Sequence, residues 1–364
     1  MKEKEKEKIA VITLSRRGQD LATKLEDLFN DLDIYCKDKY RLDSNEVKGI
    51  EYYNSSVKEL TAILFKEYKN IIYIMALGIV VRVIAPYLKS KKEDPAVVTI
   101  DESGRNVIST LSGHLGGANQ LTTEIADILK ANSVITTATD CQGKPAIDML
   151  AKEMNCIIEP FKNLKLANAA IVNDRPLSIF TDYTLDISES KYISVYPLSD
   201  FFSVSQSGFP VIVSNKEIKI NGDYLQLIPR NIVVGIGCRR GISAEEISSV
   251  VQGSLQSLNL SEKSIKKIAT IDLKKDEIGL LEYAAQKSLE MEIIDREEIN
   301  NTNLDISQSD FVQKMIGVPG VCEPAALLAS DSGKLILPKT KCGRITIAVV
   351  EENLIYEEEE ASNG

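Results

Sequence analysis

The chain twice sets up one rhythm: a short run of β-branched apolar residues, then a stretch with apolar residues at helical spacing. Residues 8–14 (KIAVITL) read as a strand, Ser15 as a turn, and the pattern to about residue 32 as a helix. Residues 33–36 can start a second strand, and 54–68 is helical with Val57, Leu60, Ile63 and Leu64 on one face. Residues 71–75 form a buried strand, broken at Gly78 and followed by a short apolar helix that stops near Pro86. Strands at 96–100 and 107–108 flank the turn Asp101-Glu102-Ser103-Gly104. A helix is expected over 114–131 and a strand over 133–136. Such alternation implies a mostly parallel sheet covered by helices on both faces.

The rhythm fades near Thr139 and resumes at Pro229. Between them, 145–154 can be a helix, and 168–228 offers short β-like pieces, clearest at 210–214 and 224–228. A strand at 231–236 then leads into a helix starting at Ser243, with Glu246 at the capping-box position. A strand at 267–271, a helix around 279–289, a strand at 291–294, a helix from about Pro324 and a strand at 344–350 complete the pattern. The expected class is α/β. Two α/β domains with mostly parallel sheets, 1–138 and 230–350, are joined by a smaller, more β-like middle domain at 139–229. An acidic tail at 351–364 follows.

A chain of 364 residues needs more than one core. Its net charge of −10 argues against a general nucleic-acid binder. Part of that charge lies in Glu357 to Glu360, and the start, MKEKEKEK, is expected to be solvated. The six cysteines (Cys36, Cys141, Cys156, Cys238, Cys322, Cys342) form no CxxC pair, and His114 is the only histidine. A conventional zinc or iron–sulfur site is therefore not expected. No apolar signal segment follows the charged start, and the most hydrophobic segment, 71–81, is ended by Arg82, short of a membrane span. The expectation is a cytoplasmic protein with neither nucleic acid nor membrane as partner.

His114 sits in LSGHLGGANQ, crowded by Gly113, Gly116 and Gly117 and preceded by Ser112, which suits a helix cap. Two readings fit: a packing histidine where the chain turns tightly into a helix, or a reaction centre. In the second, a glycine-rich helix start aims backbone N–H groups at an anion or developing oxyanion. The imidazole then supplies acid–base chemistry near neutral pH. Asp101, one strand earlier, is either a turn former or a carboxylate that orients the histidine. GIGCRRG (235–241) has the spacing GxGxxxG and not the dinucleotide GxGxxG. Gly237 with Arg239 and Arg240 is either a turn with solvated arginines or a cradle for carboxylate or phosphate. In GVPGVCEPAALLAS (317–330), Glu323 either caps a helix or acts as an acid or base in a cleft. Lys339, Lys341 and Arg344 make either a local positive patch or a solvated basic turn.

Taken together and in order, ALGIVVRVIAPYL (76–88), DESGRNVISTLSGHLGGANQLT (101–122), GIGCRRG, and GVPGVCEPAALLAS with LPKTKCGRITIAV resemble the CbiG family of anaerobic cobalamin (vitamin B12) biosynthesis. The SGHLGGAN segment is the most specific of these. The resemblance implies an N-terminal domain, a variable middle, and a C-terminal domain related to the stand-alone protein CobE. It also implies an enzyme that hydrolyses cobalt-precorrin-5A. Water opens the δ-lactone joining the ring A acetate to the meso carbon C20, and C20 with its methyl leaves as acetaldehyde, giving cobalt-precorrin-5B. Cobalt arrives inside the substrate, so no protein metal site and no cofactor are implied. The implied partners are the cobalt-tetrapyrrole substrate and neighbouring enzymes of the pathway.

Matched to that chemistry, His114 would be the base, kept neutral by a helix N-terminus, and the N–H groups of Leu115, Gly116 and Gly117 would hold the oxyanion. Ser112, Gly113 and Asn119 would line the same place. Because the substrate is rich in carboxylates and the protein is acidic, binding would rely on Arg82, Arg239, Arg240, Lys339, Lys341 and Arg344. A tetrapyrrole carrier with no chemistry of its own is the other reading. A nucleotide-binding α/β protein fits less well, since the glycine spacings fail.

Overall fold

The apolar runs of the first half become strands of one seven-stranded sheet, ordered β3-β2-β1-β4-β5-β6-β7. The computed structural model describes residues 8–26, 29, 32–41, 49–187, 191–203, 208–302, 306–307, 313–314, 317–354 and 356–357. They fall in two compact units, Met1–Met149 and Leu150–Gly364. Residues 1–7 of the alternating-charge start, and residues 355 and 358–364 of the acidic tail, lie outside the described residues.

In the first unit the order is β1 (Ile9–Thr13), α1 (Arg16–Glu26), β2 (Leu32–Lys37), β3 (Ile50–Tyr53), α2 (Val57–Glu67), β4 (Asn70–Ile74), α3 (Leu77–Ile84), β5 (Ala96–Ile100), β6 (Asn106–Leu111), α4 (Ala118–Leu129) and β7 (Asn132–Val134). The short helices α5 (Ala138–Cys141) and α6 (Ile147–Glu153) follow. Every residue of β5 is buried, as a strand covered on both faces requires. Alternate strand residues divide the core. Val11, Ile72 and Val98 pack under α1 and α4, whereas Ala10, Ile71, Tyr73 and Val97 pack under α2 and α3. Ser56 and Glu59 close a capping box at the start of α2.

One reversal positions the site. β5 and β6 form an antiparallel pair, with Val97 opposite Leu111, while β7 runs parallel to β6. The segments leaving β6 and β7 therefore emerge at the edge where β1, β4 and β5 begin. His114 follows β6, and Thr137 to Asp140 follow β7, so the topology brings them together.

The second unit holds two five-stranded sheets, β11-β9-β12-β13-β8 and β16-β15-β14-β18-β17. The first is built from β8 (Cys156–Glu159), β9 (Leu177–Thr181), β11 (Ile193–Pro197), β12 (Phe209–Val213) and β13 (Leu225–Pro229), with α7 (Leu164–Val172) packed on it. Only its β8–β13 pair is antiparallel. The second contains β14 (Ile232–Cys238), α8 (Ala244–Ser257), β15 (Ile265–Ile271), α9 (Ile278–Lys287), β16 (Glu290–Ile294), α10 (Arg296–Asn301), α11 (Cys322–Leu328), β17 (Lys334–Cys342) and β18 (Ile345–Glu351). A short parallel pair joins β10 (Leu185–Asp186) to β19 (Tyr356–Glu357).

The α/β class is the one the alternation implies, but the second mostly parallel sheet lies in residues 156–229 and not, as expected, in 230–350. The last sheet is mixed because β17 and β18 form a hairpin turned at Gly343, whose φ is +59°. Strand β17 has no signature in the sequence. Pro338 and two register shifts break its pattern, which an edge strand tolerates. Among the described residues no helix is long and apolar enough to cross a membrane.

Candidate active site

His114 does not lie in a helix. Helix α4 starts at Ala118, and its N-cap is Gly117, at φ +91°. Ser112 is not the cap; its hydroxyl donates to the Asp94 carbonyl at 3.1 Å, and its own φ is +57°. The glycines serve a tight loop. A Cβ on Gly116 would sit 2.7 Å from the Ser112 carbonyl oxygen, and one on Gly113 would sit 2.6 Å from Asn119 Oδ1. Of the amides expected to hold an oxyanion, that of Gly117 already donates to the His114 carbonyl at 2.9 Å.

What the loop does is aim one imidazole at two carboxylates. Nδ1 faces both oxygens of Asp148 at 3.1 Å, and Nε2 lies 2.6 Å from Asp140 Oδ2. The Thr139 hydroxyl is 3.3 Å from the same Nε2. Asp148 is buried, its side chain only 6% exposed, whereas that of Asp140 is 37% exposed. Asn119 fixes the outer carboxylate: its amide donates to Thr137 Oγ1 at 2.9 Å and to Asp140 Oδ2 at 3.3 Å. Its Oδ1 accepts from Ser109 at 2.6 Å.

The bond to Asp148 raises the imidazole pKa above its ordinary 6.5; burial opposes the rise, and Asp140 adds to it. The expected neutral base is thus corrected to a histidine held toward its cationic form, because carboxylates and not a helix N-terminus surround it. A raised folded value means that the clamp's stabilisation is fully present below about pH 6.5 and is lost as pH rises through the raised value.

A cleft of about 280 Å³ borders this group, lined among others by Lys91, Asp94, Leu111, His114, Leu115 and Asp148. Asp101 is elsewhere. It closes the β5–β6 turn, accepting from the backbone and side chains of both Ser103 and Asn106. Burial alone would push its carboxyl up, but these bonds win and hold it at about 2. It therefore orients the turn and not the imidazole. Arg82 is exposed on α3 and donates to the Gly78 carbonyl at 2.8 Å.

In the second unit, part of the expected cradle is occupied by the protein's own carboxylates. Gly237 belongs to β14, where a Cβ would stand 2.6 Å from Thr346 Oγ1; neighbouring Gly235 lets the Cys322 carbonyl of α11 approach closely. The Gly241 amide donates to Glu277 at 2.8 Å, and Arg240 pairs with Asp276 at 3.2 Å. Arg344 binds both oxygens of Glu246 at 2.9 Å. The Arg239 amide donates to the Arg344 carbonyl at 3.0 Å. Lys341 is exposed and Lys339 half-buried on β17.

Glu323 is 1% exposed and accepts from the amides of Ser307 and Lys339 at 2.5 Å and from the Ser307 hydroxyl at 3.0 Å. That arrangement ties the start of α11 to β17 and makes Glu323 an anchor, not an acid in a cleft. Glu323→Ala strands those donors, of which the Ser307 groups can turn to water, and is expected to lower stability by about 1–3 kcal/mol in all. Urea unfolding measures it, and an unchanged midpoint would contradict the anchoring role. Among the described residues no group of three or more His, Cys, Asp or Glu is arranged to hold a metal ion.

Known proteins match along almost the whole chain. Residues 59–140 match the family Cobalamin synthesis G N-terminal, 145–229 the Cobalamin biosynthesis central region, and 232–350 the Cobalamin synthesis G C-terminus. Over 351 residues the chain is 37% identical to the cobalt-precorrin-5A hydrolase of Priestia megaterium, covering 93% of this chain and 94% of that one. The chain belongs to the CbiG family. To the cobalt-precorrin-5A hydrolase of Salmonella typhimurium it is 32% identical over 335 residues, covering 91% and 93% of the two chains. The solved structure of CobE, a protein from the cobalamin (vitamin B12) biosynthetic pathway, is 28% identical, covers 33% of this chain and 89% of that one, and gives a TM-score of 0.31.

For this CbiG chain, sequence reasoning found the imidazole and missed both of its carboxylates. Asp148 left a signal. It sits on the face of α6 that buries Ile147, Leu150 and Ala151, where a carboxylate needs a partner. Asp140 left none beyond a polar turn.

Proposed function

We infer that this chain is a cobalt-precorrin-5A hydrolase of cobalamin biosynthesis, and that its reaction centre is the Asp148–His114–Asp140 group. The observation that carries the placement is His114 with a carboxylate on each ring nitrogen beside a cleft, in a chain matching such hydrolases over nearly its full length. Water attacks the lactone carbonyl and gives its proton to Asp140, whose bonds to His114 and Asn119 both fall on Oδ2. The acyl–oxygen bond to C20 breaks, and the C20 oxygen takes a proton from the cationic imidazole. Neutral His114 then removes that hydroxyl proton as the bond between C20 and the macrocycle breaks. The bonding electrons pass into the ring system, which takes up a proton, and acetaldehyde leaves. Asp148 keeps the ring oriented and favours its charged form throughout.

The substrate is a cobalt tetrapyrrole, supplied and removed by neighbouring enzymes of the pathway. Six free cysteines fit a reducing, cytoplasmic setting. Purified protein incubated with cobalt-precorrin-5A is expected to release acetaldehyde, trapped as a hydrazone. Tight binding with no aldehyde would make the chain a carrier and overturn the reading.

A further inference from the structure

The cleft at His114, about 280 Å³, is at the lower end of small-molecule sites, roughly 300–1,000 Å³, whereas a cobalt tetrapyrrole is a large, flat ligand. The rest of the macrocycle must lie on adjoining surface. Strands β4 and β5 are parallel neighbours, so the chain must return through α3 from the far edge of the sheet to the edge that carries His114. The segment after α3 reaches the cleft, which Lys91 and Asp94 line, and Leu111 packs against the cluster containing Val80 and Ile84.

The outer face of this segment is apolar and uncovered: Val81 is 50% and Leu88 45% exposed, with Leu77 beside them. Arg82 lies among them, its guanidinium folded onto the helix over Gly78, where a Cβ would come within 3.3 Å of Nη1. Lys89, which pairs with Glu93 at 3.5 Å, and Lys91, which lines the cleft, follow. An apolar strip fringed by cations, in a chain of net charge −10, complements a flat apolar ring edged with carboxylates.

We propose that the exposed face of α3 and the turn after it, centred on Val81, Arg82 and Leu88, is the bed on which the tetrapyrrole lies while its lactone edge enters the His114 cleft. This rests on the hydrolase reading. Both apolar side chains touch the ring in the bound state, so a buried charge there opposes binding without touching the reacting atoms.

The test measures acetaldehyde release against cobalt-precorrin-5A concentration for the full chain and for Val81→Glu, Leu88→Glu and Ile128→Glu. Ile128 is as apolar, but lies at the far end of α4 on the other face of the sheet. Val81→Glu and Leu88→Glu are each expected to raise KM about tenfold or more, with kcat within about twofold and Ile128→Glu unchanged. Unchanged KM in both α3-face variants overturns the bed while leaving the hydrolase reading intact. So does an equal loss in Ile128→Glu. A shift in oligomeric state by light scattering with KM unchanged would mean that a second copy covers this face, which also overturns it. No aldehyde from the wild-type protein overturns the hydrolase reading itself.

Discussion

Replacing His114 with alanine is expected to slow acetaldehyde release from cobalt-precorrin-5A by at least about 100-fold, the scale of a lost general acid–base group. Substrate binding should be largely kept, because the imidazole is mostly enclosed by Asp148, Asp140 and Thr139 and offers little contact area. No second histidine exists to take over. The same change leaves two carboxylates facing an empty space, so thermal melting at pH 6 should accompany the kinetics to show that the variant is folded. Near-normal turnover in a folded His114→Ala protein would make the residue a packing group.

Asp140→Asn should be about as damaging, with a loss of roughly 10²–10⁴ in turnover, since the change removes the proton acceptor for water and keeps the shape. It should also leave a second mark. Taking an anion from 2.6 Å of Nε2 disfavours the imidazolium, so the ring pKa must fall. The pH dependence of the residual turnover should therefore move toward lower pH. A carboxylate that merely packs would not shift the pH profile. Asp140→Asn with full turnover would reassign the base.

The α/β architecture was legible because strands buried on both faces read as continuous apolar runs, and because helices such as α8 announce their start through Ser243 and Glu246. Strand β17 was not, since an edge strand carries no such run. In the site, the loop around His114 is legible from its glycines, but the sequence alone reads them as donors for an anion. Three-dimensional spacing shows that Gly113 and Gly116 allow close approach by Asn119 and Ser112, and that the Gly117 amide is already used within the loop. Asp140 and Asp148 lie 26 and 34 residues beyond His114, and only the reversal of β6 and β7 brings them to it. Arg240 of GIGCRRG misleads for a related reason: its carboxylate partner, Asp276, comes from another turn of the same unit.

The most direct probe is the NMR titration of the single histidine ring, labelled at Cε1, alone and with cobyrinic acid added. One imidazole gives one resonance, so no assignment problem arises. A titration midpoint above 6.5 that moves when the corrinoid binds is the result expected of a charged ring clamped between Asp148 and Asp140 at the substrate's edge. A midpoint at or below 6.5, indifferent to saturating corrinoid, would contradict both the clamp and its place in the reaction.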